Sequence, residues 1–291
     1  MNSTDPQTLA RSGAHAPEQF GDLEQLETVA RMAAAVGADA IRRTAPDRLN
    51  VRVKTDPTDL VTTADENAES AVISMIRRHR PWDEITSEER GLVTGARNIR
   101  WSVDPLDGTA NFTAGNPDYA VSVGCFVGEL PAFGAIHRPA DDIAVSTRTV
   151  RPDQLRWPRP SSAIRLAVGV PYGVATHAEA WDIIHRLTPY RAVLDRTGSA
   201  ACDLLKLVTG GLDVYISVGL YEWDTAAGRA LVRSAGGTSV QLQSVGGQEV
   251  WVCGSSANVA EFRAHLLQAS LCNDAAPGQP STRTGPPVTI S

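Results

Sequence analysis

Residues 101–112 read W-S-V-D-P-L-D-G-T-A-N-F, and the rest of the chain is best interpreted outward from them. The first residues of this stretch predict a short strand that ends at Asp104. Pro105 then fixes the backbone, and Gly108 permits a tight turn. Asp104 and Asp107 lie three residues apart on this turn. We therefore expect the two carboxylates to face the same point.

Such a pair of carboxylates is typical of a site for a hard divalent cation. Magnesium binds oxygen ligands in octahedral geometry at about 2.0–2.1 Å. The backbone carbonyl of Leu106 is a further hard ligand on the same turn. The N–H groups of Gly108 and Thr109 come where a helix can begin and would suit a phosphate. Taken alone, the motif fits a turn with Asx-type capping equally well.

Three other acidic segments have an ordinary structural explanation when each is taken alone. Glu88 and Glu89 follow an apolar residue and fit a solvated acidic loop. Asp65 closes T-T-A-D before an apolar helix, which fits a capping box. Asp224 stands at a predicted helix start in E-W-D-T-A-A-G, where an N-cap is expected. Their joint occurrence in one chain favours a single acidic site.

Composition excludes several classes of function. The 291 residues carry a net charge of −6, with 42% apolar and 21% charged residues, which is ordinary for a globular protein and unlike a basic nucleic-acid binder. No apolar run approaches the roughly 20 residues that span a membrane. The first 20 residues are polar, so we expect a cytoplasmic protein. Four scattered cysteines predict reduced, buried thiols: Cys125, Cys202, Cys253 and Cys272.

Hydrophobic patterning predicts two halves between polar tails. The second half alternates strands with helices, which favours an α/β sheet. The expected divisions are a disordered tail at 1–20, an N-terminal α+β half at 21–150, a linker within 148–162, a C-terminal α/β half at 163–271 and a disordered tail at 272–291. The predicted helices cover about 22–44, 65–79, 177–188, 199–209, 224–235 and 256–270. The predicted strands cover 99–103, 119–127, 132–137, 164–169, 212–218 and 249–253.

Five stretches together resemble the inositol monophosphatase superfamily of magnesium-dependent, lithium-sensitive phosphatases. They are D-L-V-T-T-A-D (59–65), S-E-E (87–89), W-S-V-D-P-L-D-G-T-A-N-F (101–112), T-G-S-A-A (197–201) and W-D-T-A-A-G (223–228). The resemblance covers about residues 22–270. It implies an α/β fold built as a layered αβαβα sandwich and a phosphoric monoester hydrolase.

The resemblance also implies a magnesium centre with two or three ions. Glu88, Asp104 and the Leu106 carbonyl would hold the first ion. Asp104, Asp107 and Asp224 would hold the second, and a third, weaker ion would bind Glu88 and waters.

Catalytic and substrate-binding positions follow from the same resemblance. Thr109 and Asp65 would orient the attacking water, with Glu88 as a further catalytic residue. The substrate-binding residues would be Asp107, Gly108, Thr109, Gly198, Ser199 and Ala200, of which the last three meet the alcohol portion of the substrate.

Two departures from the family pattern bear on the substrate. Ser217 stands where many inositol phosphatases carry a glutamate that contacts a substrate hydroxyl. The segment after His137 lacks the usual glycine-rich hairpin. A polyol, inositol or sugar phosphate is the leading expectation. The alternatives are a nucleoside phosphate such as 3′-phosphoadenosine 5′-phosphate, histidinol phosphate, or a non-catalytic metal-binding regulator. A homodimer would fit the family, and neither nucleic acid nor membrane is expected as a partner.

Overall fold

The computed structural model of the chain describes residues 16–44, 49–54, 57, 59–93, 95, 99–155, 163–171, 174–187 and 192–274. The helices found there are α1 (Ala16–Arg43), α2 (Thr63–His79), α3 (Thr109–Thr113), α4 (Val174–Leu187), α5 (Ala200–Val208), α6 (Glu222–Ser234) and α7 (Ser256–Gln268). The strands of the first half are β1 (Arg52–Val53), β2 (Leu60–Val61), β3 (Glu84–Ser87), β4 (Gly91–Val93), β5 (Ile99–Asp107), β6 (Ala120–Val127), β7 (Leu130–Arg138) and β8 (Ile143–Ser146). Those of the second half are β9 (Ile164–Gly169), β10 (Ala192–Leu194), β11 (Val214–Val218), β12 (Thr238–Ser244), β13 (Glu249–Gly254) and β14 (Cys272–Asp274).

Two six-stranded sheets form the framework. The first has the order β4-β3-β5-β6-β7-β8, with β3 and β5 parallel and the other neighbours antiparallel. The second has the order β10-β9-β11-β13-β12-β14. Its first three strands are parallel, and the pairs from β11 onward are antiparallel. The second sheet is therefore mixed, because β12 and β13 follow each other as a hairpin without an intervening helix.

The helices cover both sheets in layers. Helices α1 and α2 pack on the outer face of the first sheet, α5 and α6 lie between the sheets, and α4 and α7 cover the second sheet. This order confirms the predicted αβαβα sandwich. Each apolar sheet face is buried against helices, which is the condition for a stable layered domain.

Small residues let α6 approach both neighbouring layers closely. A Cβ atom added at Gly134 of β7 would lie 2.6 Å from the carbonyl oxygen of Ala227. One added at Gly228 would lie 2.7 Å from Cβ of Leu204 on α5. The A-A-G run of α6 thus makes contacts that larger side chains would prevent, because real Cβ atoms do not approach to such distances.

Several element boundaries differ from the sequence-based expectation. Helix α1 begins at Ala16, inside the predicted tail, while residues 1–15 lie outside the described residues. Strand β14 takes up Cys272–Asp274, the start of the second predicted tail, and residues 275–291 lie outside the described residues. Of the predicted linker, 156–162 is likewise not described. The division into halves stays a prediction, since α5 and α6 contact both sheets.

Within the described ranges, no helix combines the length and the apolar character needed to cross a bilayer.

Candidate active site

A cleft of about 1000 Å³ opens where the acidic segments of the first half meet the second half. Most of the predicted site residues line it, together with apolar and aromatic side chains. The lining includes Lys54, Glu88, Glu89, Asp104, Leu106, Asp107, Gly108, Thr109, Arg196, Gly198, Ser199, Ala200, Leu220, Tyr221, Trp223 and Asp224. Its volume lies at the upper end of the range typical of small-molecule sites.

A bulge in β5 brings the two aspartates of D-P-L-D to one face. The strand does not end at Asp104, as the sequence suggested, but continues to Asp107. Asp104 pairs with Ser122 and Asp107 with Ala120, so two residues on β5 oppose one on β6. Residues three apart on a regular strand face opposite sides, and one extra residue reverses this. Pro105 is tolerated there because a bulge frees it from the ladder.

Asp107 is held by the start of α5. Its Oδ2 atom accepts hydrogen bonds from the Ser199 hydroxyl at 2.7 Å and from the Ala201 N–H at 2.5 Å. The positive end of the α5 dipole favours a carboxylate at this place. Ser199 also caps α5, since its Oγ accepts from the N–H of Cys202. The T-G-S-A-A segment therefore fixes a predicted metal ligand.

Asp224 reaches the same place from the first turn of α6. The N–H of Tyr221 donates to Asp224 Oδ2 at 2.8 Å. Ser122 of β6 donates to the carbonyl of Trp223 at 3.2 Å and ties the helix start to the first sheet. Oxygen atoms of Asp104, Asp107 and Asp224 all lie within 4.8 Å of one another.

The three aspartates form a strongly unfavourable cluster when all are ionised. Burial raises the pKa of Asp104 well above its ordinary value, and the charges of Glu88 and Asp107 raise it further. Burial, followed by the charge of Asp107, likewise raises the pKa of Asp224. Burial raises the pKa of Asp107 to about 7, against the opposing hydrogen bonds at α5. Like charges at this spacing require a cation or a shared proton.

Glu88 lies beside this cluster rather than inside the group of three. Its N–H donates to Val103 at 3.1 Å, which continues the pairing of β3 with β5. Lys54 donates to Glu88 Oε1 at 2.8 Å and to Glu89. Burial lowers the pKa of Lys54, but the two glutamates outweigh this and raise it above its ordinary value. Burial raises the pKa of Glu89 to about 8.

Asp65 fills two roles with its two oxygens. Oδ2 accepts from the N–H of Thr62 at 2.8 Å and from its hydroxyl at 2.6 Å, which is the capping box expected at the start of α2. Oδ1 accepts from the hydroxyl of Thr109 at 2.8 Å. Burial raises the pKa of Asp65 to about 6. The expected capping box is therefore present, and the other oxygen of Asp65 contacts Thr109, its predicted partner in orienting water.

Thr109 stands at the junction of these groups. Its Oγ1 lies 3.0 Å from the carbonyl oxygen of Leu106 as well as close to Asp65. Gly108 precedes it with φ +94°, a left-handed conformation that favours glycine. A Cβ at Gly108 would lie 2.9 Å from the carbonyl of Asp118. The turn can therefore approach its neighbours only with glycine at this position.

Sequence reasoning missed two residues that organise the site. Asn111 donates from Nδ2 to the carbonyls of Asp118 at 2.6 Å and of Thr197 at 2.9 Å, and so joins α3 to the loop before α5. Its place in D-G-T-A-N-F was the available signal. Lys54 is one of only two lysines in the chain, and this rarity was the only local sign of its role.

Other basic and imidazole side chains were left unassigned by the sequence. Arg196 lines the cleft. Arg138 pairs with Asp118 and Asp141 beyond it. His137 Nε2 lies 2.9 Å from Asp142 Oδ1. Ser217 is 1% exposed and is not among the described residues that line the cleft.

The donor set fits a hard divalent cation. All three clustered side chains offer carboxylate oxygen, the ligand that magnesium prefers. Among the described residues, none of the three aspartates forms an ion pair with lysine or arginine, whereas Glu88 and Glu89 do. A bound cation would offset both the burial and the mutual repulsion that affect the pKa values of these carboxylates.

Comparisons with known proteins agree with this geometry. A sequence model of the inositol monophosphatase family matches residues 22–272. Inositol-1-monophosphatase SuhB of Mycobacterium tuberculosis is 32% identical over 236 residues, which cover 75% of this chain and 81% of that protein. Nus factor SuhB of Escherichia coli K12 is 32% identical over 224 residues, 74% and 82% of the two chains.

Solved structures show the same architecture. The inositol monophosphatase of Anabaena superposes with a TM-score of 0.67 at 25% identity, covering 85% of this chain and 97% of that one. Mycobacterium tuberculosis SuhB superposes with a TM-score of 0.64 at 28% identity, covering 84% and 96%.

Fold and relatives together define a phosphoric monoester hydrolase with a layered αβαβα architecture. The chain belongs to the inositol monophosphatase family. Members of this family act on small phosphorylated substrates and depend on metal ions, and an acidic cluster able to hold a metal is present here.

Proposed function

We propose that the protein is a magnesium-dependent phosphatase that hydrolyses a small phosphate monoester of a polyol, inositol or sugar. The observation that carries the proposal is the convergence of Asp104, Asp107 and Asp224 within 4.8 Å, in a cleft large enough for such a substrate. Asp104 and Asp107 share a face because of the β5 bulge, and Asp224 comes from α6. Their convergence therefore depends on the tertiary fold and not on one local turn.

These residues would hold the ions as the family resemblance implies. Glu88, Asp104 and the Leu106 carbonyl are the proposed ligands of one magnesium, and Asp104, Asp107 and Asp224 those of a second. Ions held by these residues would activate a water and stabilise the leaving oxygen. The third, weaker ion at Glu88 is part of the same proposal.

Thr109 and Asp65 are proposed to orient the attacking water and take its proton. Thr109 lines the cleft, and when its hydroxyl donates to Asp65 its oxygen can still accept a hydrogen bond from a water. Asp65 is completely buried and therefore acts through Thr109. A carboxylate whose pKa is about 6 accepts a proton near neutral pH more readily than an ordinary aspartate.

The substrate would be bound at two sides of this centre. Backbone N–H groups around Gly108 and Thr109 are the proposed partners of the phosphate oxygens. Gly198, Ser199 and Ala200 would border the alcohol portion. Each of these positions lines the cleft.

A second substrate class is favoured by one observation. Tyr221 and Trp223 line the cleft as a stacked pair with ring centroids 4.7 Å apart, and Arg196 lies on the same cleft. An aromatic wall and a guanidinium suit an alcohol that carries a flat ring and a second anionic group, such as a nucleoside bisphosphate. Ser217 also lacks the carboxylate with which the family's glutamate would contact a hydroxyl of inositol.

Phosphate release across a substrate panel tests both candidates. The panel contains inositol 1-phosphate, sugar phosphates, 3′-phosphoadenosine 5′-phosphate, nucleoside monophosphates and histidinol phosphate, each with magnesium, with and without lithium. Turnover that is abolished by Asp104→Asn and inhibited by lithium supports the proposal. Magnesium binding without turnover of any compound would instead favour a non-catalytic metal-binding module.

The homodimer expected from the family is a further proposal. Sedimentation equilibrium of the purified chain is expected to give twice the 31.0 kDa mass. A monomer at micromolar concentration would contradict it.

A further inference from the structure

Helix α2 carries a second buried carboxylate one turn after Asp65. Glu69 is 2% exposed and lies four residues further along, on the same face of the helix. Asp65 points to Thr109, whereas Glu69 points to the segment that carries Glu88. Glu69 is not one of the proposed metal ligands or catalytic residues.

Donors from three residues, Ser87, Arg90 and the backbone N–H of Glu89, meet the Glu69 carboxylate. The hydroxyl of Ser87 donates to Oε1 at 2.5 Å, and the N–H of Arg90 donates to the same oxygen at 3.0 Å. The guanidinium Nε of Arg90 lies 3.0 Å from Oε2. Ser87 and Arg90 stand on either side of Glu88 and Glu89. The carboxylate therefore holds the acidic segment from both ends.

Only an ionised carboxylate satisfies this arrangement. All three partners are donors, and a carboxylate is an acceptor at both oxygens. A glutamine would bring an NH₂ group against at least one of these donors. Burial raises the pKa of Glu69, and the hydrogen bond from Ser87 with the charge of Arg90 opposes this. Burying a charged carboxylate is costly, so its presence here indicates a role that an uncharged side chain would not fill.

We propose that Glu69 is a positioning residue for the metal centre. It fixes segment 87–90 to α2, so that one helix sets the position of Glu88 relative to the Thr109–Asp65 pair. The inference rests on the proposed function, because it gives Glu88 a role at the metal. Groups that hold metal ligands in place commonly change metal affinity or activity by about 10–100-fold when they are removed.

A buried carboxylate nearby supplies a matched control. Asp83 is 1% exposed and accepts from Arg80 at 2.8 Å and from the Trp101 indole at 3.0 Å. Like Glu69 it is a buried acid paired with an arginine. It precedes β3, whereas segment 87–90 begins at the last residue of that strand. Asp83→Asn therefore reports the cost of disturbing such a pair without disturbing Glu88.

The experiment measures magnesium binding by calorimetry and magnesium dependence of phosphate release for the wild type, Glu69→Gln and Asp83→Asn. Glu69→Gln is expected to weaken magnesium binding and to raise the magnesium concentration for half-maximal rate, each by about 10–100-fold. Its substrate KM at saturating magnesium stays within about twofold. Asp83→Asn lowers the melting temperature and leaves the magnesium dependence unchanged. Amide hydrogen exchange at Arg90 is expected to be faster in Glu69→Gln alone.

A milder substitution keeps the proposal testable if Glu69→Gln does not fold. Ser87→Ala removes one donor to Glu69 and is expected to shift magnesium binding in the same direction by a smaller factor. In the double variant the two effects are not additive, because both act on one contact. Unchanged magnesium binding in both single variants, or an equal change in Asp83→Asn, would overturn the positioning role. Absence of magnesium binding in the wild type would instead contradict the proposed function.

Discussion

Buried aspartates lie at opposite ends of the parallel strand pair β3–β5, and they are neutralised in different ways. Asp83, next to the start of β3, receives hydrogen bonds from Arg80 and from Trp101. Asp104, near the end of β5, has two further aspartates as neighbours instead of an arginine. The fold therefore supplies a counter-charge for Asp83, whereas we propose that a bound cation supplies the counter-charge for Asp104.

The largest expected effect comes from removing one charge of the cluster. Asp104→Asn should lower phosphate release by about 10³-fold or more, because several kcal/mol of metal-dependent stabilisation is lost. The metal-free variant should melt at the same or a higher temperature than the wild type, since repulsion is relieved. Kinetic assays and thermal unfolding in chelator check both. A clear loss of metal-free stability would show that Asp104 is structural, like Asp83.

The opposite result is expected for the internally paired acid. Asp83→Asn should lower the free energy of unfolding by about 3 kcal/mol, because the buried ion pair between Asp83 and Arg80 is broken. Urea unfolding of the metal-free protein measures this. The rate of phosphate release per folded molecule should stay within about twofold of the wild type. A large loss of rate would show that Asp83, like Asp104, is needed for activity.

The water-orienting pair is tested by side-chain replacement at Thr109. Thr109→Ala should reduce the rate by about 10²-fold, within the range of positioned acid–base catalysis. Thr109→Ser keeps the hydroxyl and should retain most of the activity. Magnesium binding by calorimetry should be nearly unchanged in both. Equal rates in the two variants would remove the hydroxyl from the mechanism.

The smallest effect expected is on the pH dependence of stability. Raised folded-state pKa values of Asp65, about 6, and Asp107, about 7, mean that the folded state binds more protons than the unfolded state between about pH 4 and 7. Stability of the metal-free protein should therefore fall as pH rises through this window. Melting curves from pH 5 to 8 with chelator should show the decline, and saturating magnesium should reduce it. An increase in the stability of the metal-free protein with rising pH would contradict the raised pKa values of these aspartates.

Much of the fold was predictable wherever the signal is local. Helix α2 was expected at 65–79 and spans Thr63–His79, and α6 was expected at 224–235 and spans Glu222–Ser234. Their apolar spacing and terminal residues lie within the element itself. Strand β12 was missed, because its residues become a strand only through pairing with β13 and β14. Short strands depend on such partners more than on their own propensity.

The residues of the candidate site also differ in whether a local sequence signal predicts them. The aspartates could be named from D-P-L-D-G-T and W-D-T-A-A-G, because motif spacing is a property of the chain. Lys54 could not be placed, since its partner Glu88 is 34 residues away, and neither could Asn111, whose partner Thr197 is 86 residues away. The expected end of β5 at Asp104 was wrong for a similar reason. The strand continues through a bulge that only the pairing with β6 defines.

The sequence by itself determined the identity and order of the acidic residues and two local devices. The T-x-x-D spacing at Thr62 and the equivalent spacing from Tyr221 to Asp224 place each carboxylate on a backbone N–H three residues earlier. The tertiary structure alone decided that the carboxylates of Asp104, Asp107 and Asp224 meet. That meeting requires the β5 bulge, the close approach of α6 to β7 and the contact of Ser122 with Trp223, 101 residues away. Contacts between distant segments form only when both surfaces are packed, so they leave no periodic or spacing signal in the chain.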